Sequence, residues 1–382
     1  MKLKYWCILI LFSGGCKEKY VVQVNAPAAG FLVVEGFINV NGTTDIMMTR
    51  SSGLDTPLLM PEPGAQVDIQ SQNALSYPLY ETGGGHYAQT GLLLDPSQQY
   101  RLHIKTANGK EYMSDYTAVK ITPPIDSLNW TGSSNSVTGN LVNIYVSTHD
   151  DQSQPGYYQW QFVETWKYTS KYSSNIEYQN GSIIVRPDSD MFYTCWRSDL
   201  STNISIANTE KLSSNVIYQY LLTQVPYNST DKLINRYSIL VRQYALTKEW
   251  YEWNQKVKRN TEQLGSIFDA QPSETGGNIH CVTDPTESVI GFIGCTTETE
   301  KRIFIDRNDI PPGVIFSGYE SCLSDTIGLS QKEIDDQFKD GFYIPVHFVY
   351  IMGILTGIQS SEPDCVDCRL KGGTTVQPPF WQ

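Results

Sequence analysis

In Tyr158-Gln159-Trp160-Gln161-Phe162 bulky apolar residues alternate one for one with amides. That is the two-residue period of a strand with one face in a core and the other toward water, and it commits this stretch to a sheet. The same texture runs from Phe31 to about Val119. FLVVEGFINVNG ends in Asn41-Gly42, and YRLHIKTANGKEYMS contains Asn108-Gly109. Both Asn and Gly tolerate positive φ, so these pairs predict two hairpins closed by primed two-residue turns. Between them, Ala65 to Ile69 alternates as a strand behind Pro63-Gly64. Gly83-Gly84-Gly85 makes a turn before His86-Tyr87, and Leu92-Leu93-Leu94 suggests a further strand.

Pro123-Pro124, inside Ile121 to Ile125, marks the best boundary, because two prolines cannot continue a ladder and stiffen a connection. Beyond it Leu141 to Ser147, Tyr157 to Tyr168, Asn203 to Ile206, Val216 to Leu222, Tyr237 to Leu246 and Val289 to Gly294 read as strands. One amphipathic helix interrupts them: Thr247 caps Lys248 to Leu264, with Trp250, Trp253, Val257 and Leu264 on one face. Lys256, Lys258, Arg259 and Glu262 form its wet side. A shorter helix is expected over Gln331 to Phe338, with Ser330 as cap and Glu333 as its box partner. The expected fold class is mainly β. An N-terminal prealbumin/Ig-like β-sandwich at 31–122, suggested by a cadence that resembles the prealbumin-like modules of bacterial surface proteins, precedes a larger β-rich domain at 123–382.

The chain opens MKLKYWCILILFSGGCKEKY. Lys2 and Lys4 form a basic start and Tyr5 to Phe12 an apolar core too short to span a bilayer, while Ser13-Gly14-Gly15 supplies the small residues that cleavage requires. Residues 1–15 therefore read as a lipoprotein signal peptide, Cys16 as the lipidated residue and 16–30 as a tether; the alternative is an ordinary secretory signal with a cysteine nearby, and both readings export the chain. Ser13 stands where the usual lipobox has leucine. An acyl anchor holds a protein on a membrane without a transmembrane helix, and no later segment is long and apolar enough to cross one.

Formal net charge is −12, and removal of Lys2 and Lys4 with the leader makes it more negative by two. This balance argues against nucleic acid and against adsorption to anionic headgroups. Beyond Cys7 and Cys16 the cysteines are Cys195, Cys281, Cys295, Cys322, Cys365 and Cys368, all in the second half. In an exported chain an even set suggests disulfides, whose pairing the sequence leaves open. Cys365-Val-Asp-Cys368 has the spacing of a redox motif or half a zinc site, with His280 the one histidine to nominate as a partner ligand. The second cysteine pair that zinc requires is missing, so no metal is assigned.

No nucleophile elbow, His-Glu-xx-His helix or phosphate loop is present. His86, His103, His149, His280 and His347 make no recognised ligand set, and His103 sits in an alternating strand where a structural role is the default. His149-Asp150-Asp151 reads as a solvated turn, and Asp188 and Asp190 behind Pro187 as another. No catalytic residue and no cofactor are assigned. The 24 Tyr and 8 Trp suit both sheet packing and interface anchoring. Tyr218 and Tyr220, two apart, are expected on one strand face; with the strand Tyr157 to Tyr168 they are the candidates for an exposed binding surface, although packing within the sheet is the favoured reading of these aromatics.

The tail CVDCRLKGGTTVQPPFWQ carries Cys365-xx-Cys368-Arg369, Gly372-Gly373-Thr374 and Pro378-Pro379-Phe380-Trp381. Together with FLVVEG at 31–36, Cys195-Trp196, the Trp250 helix leading to Ile267-Phe268, GNIHC at 277–281 and DPTESVIGF at 284–292, it resembles a Bacteroidota outer-membrane lipoprotein family known as domain of unknown function 4249. The resemblance extends over essentially the whole chain behind the leader, and Cys295 stands where it leads one to expect no cysteine. It implies an outer-membrane, lipid-anchored protein encoded beside a TonB-dependent, SusC-like receptor, which implies a partner and no reaction. Cys195, Cys281, Cys322, Cys365 and Cys368 are the candidate disulfide cysteines. A bridge from Cys322 to one of Cys365 and Cys368 would pin the tail; a bridge within that pair is the alternative. The expected function is a non-enzymatic accessory or ligand-binding lipoprotein; the alternatives are a surface hydrolase acting on carbohydrate and an adhesive or structural surface protein.

Overall fold

The structure, a computed structural model, describes residues 30–51, 60–135, 139–151, 154–226, 228–262, 276–312 and 316–381. The leader, Cys16, most of the tether, Leu264 and Ile267-Phe268 lie outside these residues.

Alternation builds the first body. Val67 and Ile69 in Gln66–Ser71, and Tyr100, Leu102 and Ile104 in Gln99–Lys105, point inward, while Asp68, Gln70, Arg101 and His103 stay at the surface. These two strands pair with each other. Through Ser76–Gly83, His86–Gln89, Thr44–Arg50 and Leu32–Gly36 they continue as one antiparallel path. The ends of that path are joined by a segment from far downstream. Ile279–Cys281 pairs with Glu111–Ser114 at one edge, and Val289–Ile290 runs parallel to Leu32–Val33 at the other. The result is a nearly closed, barrel-like sheet around Leu32, Ile46, Tyr87, Leu102, Tyr112, Ile279 and Val289. The first body thus draws strands from beyond residue 276 as well as from the stretch before the two prolines.

Two turns differ from expectation. Asn41-Gly42 does not close a two-residue hairpin, because Ile38–Asn39 swings out to pair with Cys295–Thr296, leaving a wide excursion between Gly36 and Thr44. At Asn108-Gly109 a hairpin does form, but Thr106 and Lys110 close it around three residues with only Gly109 at positive φ. The two-residue Asn-Gly turn with both φ positive occurs instead at Asn180-Gly181, between Ile176–Gln179 and Ser182–Val185. Leu92 to Leu94 forms no strand, although the Leu92 and Leu94 amides donate to the carbonyls of Gly42 and Val40.

The second body is a sandwich. Ile125–Asn135, Gly139–His149 and Val216–Pro226 form one sheet; Tyr157–Thr169, Thr194–Leu200, Ser205–Asn208, Arg236–Ala245 and Glu298–Asp306 form the other. Their shared core includes Val142, Ile144, Trp160, Trp166, Tyr168, Tyr237 and Val241. A smaller sheet of Ser324–Ile327, Ile344–Ile351 and Ile354–Ser361 is covered by the helix Gln331–Phe338, whose Ser330 side chain accepts from the Glu333 amide at 3.3 Å.

The longer helix, Lys248–Glu262, starts where Thr247 Oγ1 accepts the Trp250 amide at 3.2 Å. It wedges the two bodies together. Trp250 stacks on Phe292 and lies near Phe37, and Gly294 is required because a Cβ there would sit 2.0 Å from the Trp250 ring.

Candidate functional site

Two disulfides pin the C-terminal segment: Cys195 to Cys368 with Cα atoms 5.8 Å apart, and Cys322 to Cys365 with Cα atoms 5.7 Å apart. The segment then crosses the edge of the sandwich. The Tyr168 hydroxyl donates to the Cys368 carbonyl at 2.8 Å, and Trp196 and Thr374 exchange backbone hydrogen bonds of 2.8 and 2.9 Å. Gly372 adopts φ 82°, a left-handed turn, and Gly373 must lack a side chain because a Cβ would lie 2.3 Å from the Tyr168 hydroxyl. Trp381 is buried edge-on against Trp196 and Phe304, while the Arg302 guanidinium lies 3.6 Å from the Phe380 centroid. Cys281, expected among the bonded cysteines, is instead a buried free thiol, as is Cys295. Both sit in the barrel-like body, whereas the four bonded cysteines lie outside it. Burial pushes the Cys295 thiol up to about 12.

The clamp delivers Lys371 to the rim of a hollow of about 510 Å³ whose lining includes Trp166, Arg197, Asp199, Asp231, Lys232 and Phe316. Its floor follows from strand parity. Tyr158, Trp160, Phe162, Glu164, Trp166 and Tyr168 share one face, so a carboxylate falls into a row of aromatics. Glu164 is only 9% exposed and is satisfied by the Tyr237 hydroxyl at 2.8 Å and the Lys232 ammonium at 2.5 Å. Lys232 also lies 3.7 Å from Asp199, whose other oxygen is 3.5 Å from Arg197 Nε. Lys232 and Arg197 stand 5.0 and 5.4 Å from the Trp166 centroid, and the Trp166 indole nitrogen is buried without a partner among the described residues. Lys371 donates to the Gly318 carbonyl and lies 3.3 Å from the Tyr319 ring centroid. Among the described residues Asp231 enters no such ion pair within 4 Å. Burial raises its carboxyl above the ordinary range, partly offset by Lys371, Arg197 and Lys232. The hollow therefore offers polar groups over an aromatic floor, with Phe316 exposed at its edge.

Sequence pointed to the strand Tyr157 to Tyr168 that carries Glu164 and Trp166 but singled out none of these residues individually, although Glu164 is the one carboxylate in an otherwise aromatic alternation. The residues that sequence did weigh are dispersed. His103 pairs with Asp68 at 2.8 Å, His149 with Asp126 at 2.8 Å, His86 with Asp45 at 3.1 Å, and His280 lies 3.5 Å from Asp115. Asp188 and Asp190 occupy a short exposed 3₁₀ turn. Among the described residues one group has metal-type donors, Glu362, Asp364 and Cys365, and its sulfur is committed to a disulfide. Tyr218 and Tyr220 do not share a face. A bulge at Gln219, with φ 49° and its amide on Ser147 Oγ, leaves Tyr218 in solvent and turns Tyr220 inward to stack on Trp160.

A larger hollow of about 640 Å³ lies where the returning segment meets the barrel, beside Phe31, Ile279, His280, Cys281 and Glu287. Glu287 is held there by Arg50 at 3.2 Å, Tyr112 at 2.7 Å and Lys110. Those charges fasten the returning segment and are occupied in doing so.

The model of the family described as Domain of unknown function (DUF4249) matches residues 17–302. The chain belongs to this family. The match takes in the barrel-like body, the Trp250 helix and nearly all of the sandwich, and ends inside Glu298–Asp306; the closing tail of this DUF4249 member lies beyond it. No curated protein matches the chain. Among solved structures, the BSP domain of a biofilm associated protein is 8% identical over 78% of this chain and 63% of that one, at a TM-score of 0.13. The chain thus spans less than two thirds of that structure.

Proposed function

We propose that this DUF4249 member is a lipid-anchored outer-membrane protein that binds without catalysing, as the accessory of a TonB-dependent receptor. The observation that carries this reading is the doubly disulfide-bonded clamp beside the charged hollow. Such bridges belong to oxidising, extracytoplasmic compartments, in agreement with the leader and Cys16. The hollow favours recognition over chemistry because Glu164, Asp199, Lys232 and Arg197 are committed to one another. A polar ligand, or a polar loop of the receptor, would exchange hydrogen bonds with Asp231 and Lys371 and pack on Phe316, needing no cofactor.

Crosslinking in intact cells, followed by purification from solubilised outer membranes, tests this. A TonB-dependent receptor should copurify with the parent and be depleted with Asp231→Asn/Lys371→Ala; its absence from the parent sample overturns the reading. One observation favours a second reading, a surface carbohydrate hydrolase: Asp199 and Asp231 share a hollow, and Asp231 holds its proton more tightly than an ordinary carboxyl. Hydrolysis of an envelope or dietary polysaccharide that disappears with Asp231→Asn would select it.

A further inference from the structure

The sheet of Ser324–Ile327, Ile344–Ile351 and Ile354–Ser361 ends in a hairpin whose tip is apolar on both faces. Ile344–Ile351 and Ile354–Ser361 pair through Tyr350 with Leu355 and Ile351 with Ile354, and Met352-Gly353 closes the turn with φ of 50° and 81°. At its base Val346 and Ile358 are buried. At its tip Tyr350 and Ile351 are each 59% exposed, Ile354 is 69% exposed and Met352 99%. Phe342 and Tyr343, at the start of the first strand, are exposed as well. Between Asp340 and Glu362 the chain carries no Asp, Glu, Lys or Arg.

We infer that this hairpin tip docks into the lipid–water interface of a bilayer. Consecutive strand residues point to opposite faces, so Tyr350 and Ile351, and likewise Ile354 and Leu355, present apolar surface on both sides of the ribbon. A protein groove or an added strand takes one face or one edge; hydrocarbon takes both. Tyr350 sits just behind the aliphatic residues Ile351, Met352 and Ile354, where its amphipathic ring suits the headgroup level. The first strand of the hairpin is an edge strand with outward backbone groups, which limits insertion to the boundary between headgroups and acyl chains.

The tether supplies reach, a step that rests on the proposed anchoring at Cys16. About fourteen residues separate Cys16 from Gly30, enough to span at most roughly 50 Å. A body of this length is itself roughly 50 Å across, so a lipid at Cys16 permits the tip to reach the same bilayer. The acidic chain gains nothing from anionic headgroups, so docking is driven by apolar burial and is insensitive to salt.

The test uses the chain from residue 16 onward with Cys16→Ser, floated with neutral phosphatidylcholine vesicles at low and high salt. We expect it to float at both, and Ile351→Asp/Ile354→Asp to cut the vesicle-bound fraction by roughly tenfold or more with an unchanged melting profile. Ile351→Leu/Ile354→Leu should float as the parent does. A parent that stays in the aqueous fraction, or an Asp variant that floats equally, overturns the inference. So does tip-dependent self-association in sedimentation, which would make a second copy the occupant. Acylation of Cys16 is read separately by mass spectrometry on protein from membranes, so failure of the anchor and failure of the hairpin remain distinct.

Discussion

Replacing Cys195 and Cys368 together by alanine removes the bridge that closes the longer of the two loops, a separation of 173 residues. In the chain-entropy description, losing that constraint frees about 5 kcal/mol of conformational entropy in the unfolded chain. The Cys322 to Cys365 bridge closes only 43 residues, for about 4 kcal/mol. With the shorter bridge intact the longer loop has a shortcut through it, but the dependence is logarithmic and the ranking survives. Guanidinium titrations of the chain from residue 16 onward, followed by tryptophan fluorescence and by circular dichroism, measure both paired variants against the parent. The expected order is parent, then Cys322→Ala/Cys365→Ala, then Cys195→Ala/Cys368→Ala. A long-loop variant within about 1 kcal/mol of the parent, a small fraction of the loop term, would refute the reasoning, as would a short-loop variant clearly the less stable of the two. The same variants test the link to the hollow, because Lys371 follows Cys368 by three residues and loses its anchor with it.

Three further outcomes follow from the geometry. Lys232→Met leaves the buried Glu164 carboxylate with the Tyr237 hydroxyl alone and should cost roughly 3 kcal/mol in denaturant titration, most of it recovered by adding Glu164→Gln. Asp231 holds its proton more tightly folded than unfolded, so its contribution to stability should fall as pH rises from about 4, the unfolded carboxyl value, through the raised folded value. Asp231→Asn should flatten that slope and leave the protein more stable than the parent at neutral pH, read from melting temperatures across the range. Trp381→Ala removes the buried ring against Trp196 and Phe304 and should cost about 3–5 kcal/mol, with loss of the near-ultraviolet dichroism of the packed tryptophans.

Much of the local structure was legible because its causes are local. The alternation from Tyr158 to Phe162 became an interior strand of the five-stranded sandwich sheet, Thr247 capped its helix, and Ser330 with Glu333 started the shorter one. The bulge at Gln219 was not legible, since one inserted residue reverses facing without altering composition. Asn41-Gly42 and Asn180-Gly181 are the same dipeptide, yet only the second closes a tight hairpin. What separates them is a distant strand at Cys295–Thr296 that draws the first excursion outward. The candidate hollow escaped notice because Glu164, Arg197, Lys232 and Lys371 come from separate parts of the chain, and no short window contains their meeting.

Side-chain periodicity and capping depend on neighbours a few residues apart, and so the sequence alone determined that this is a β-rich chain with one long amphipathic helix. Tertiary structure decided the rest: that residues near 280 and 290 return to close the first sheet, that Cys195 and Cys322 choose Cys368 and Cys365 while Cys281 stays free, and that Lys371 arrives beside Lys232. Strand edges and thiols are chemically alike at many positions along the chain. Which of them meet is settled by packing across hundreds of residues, a quantity that no local pattern encodes.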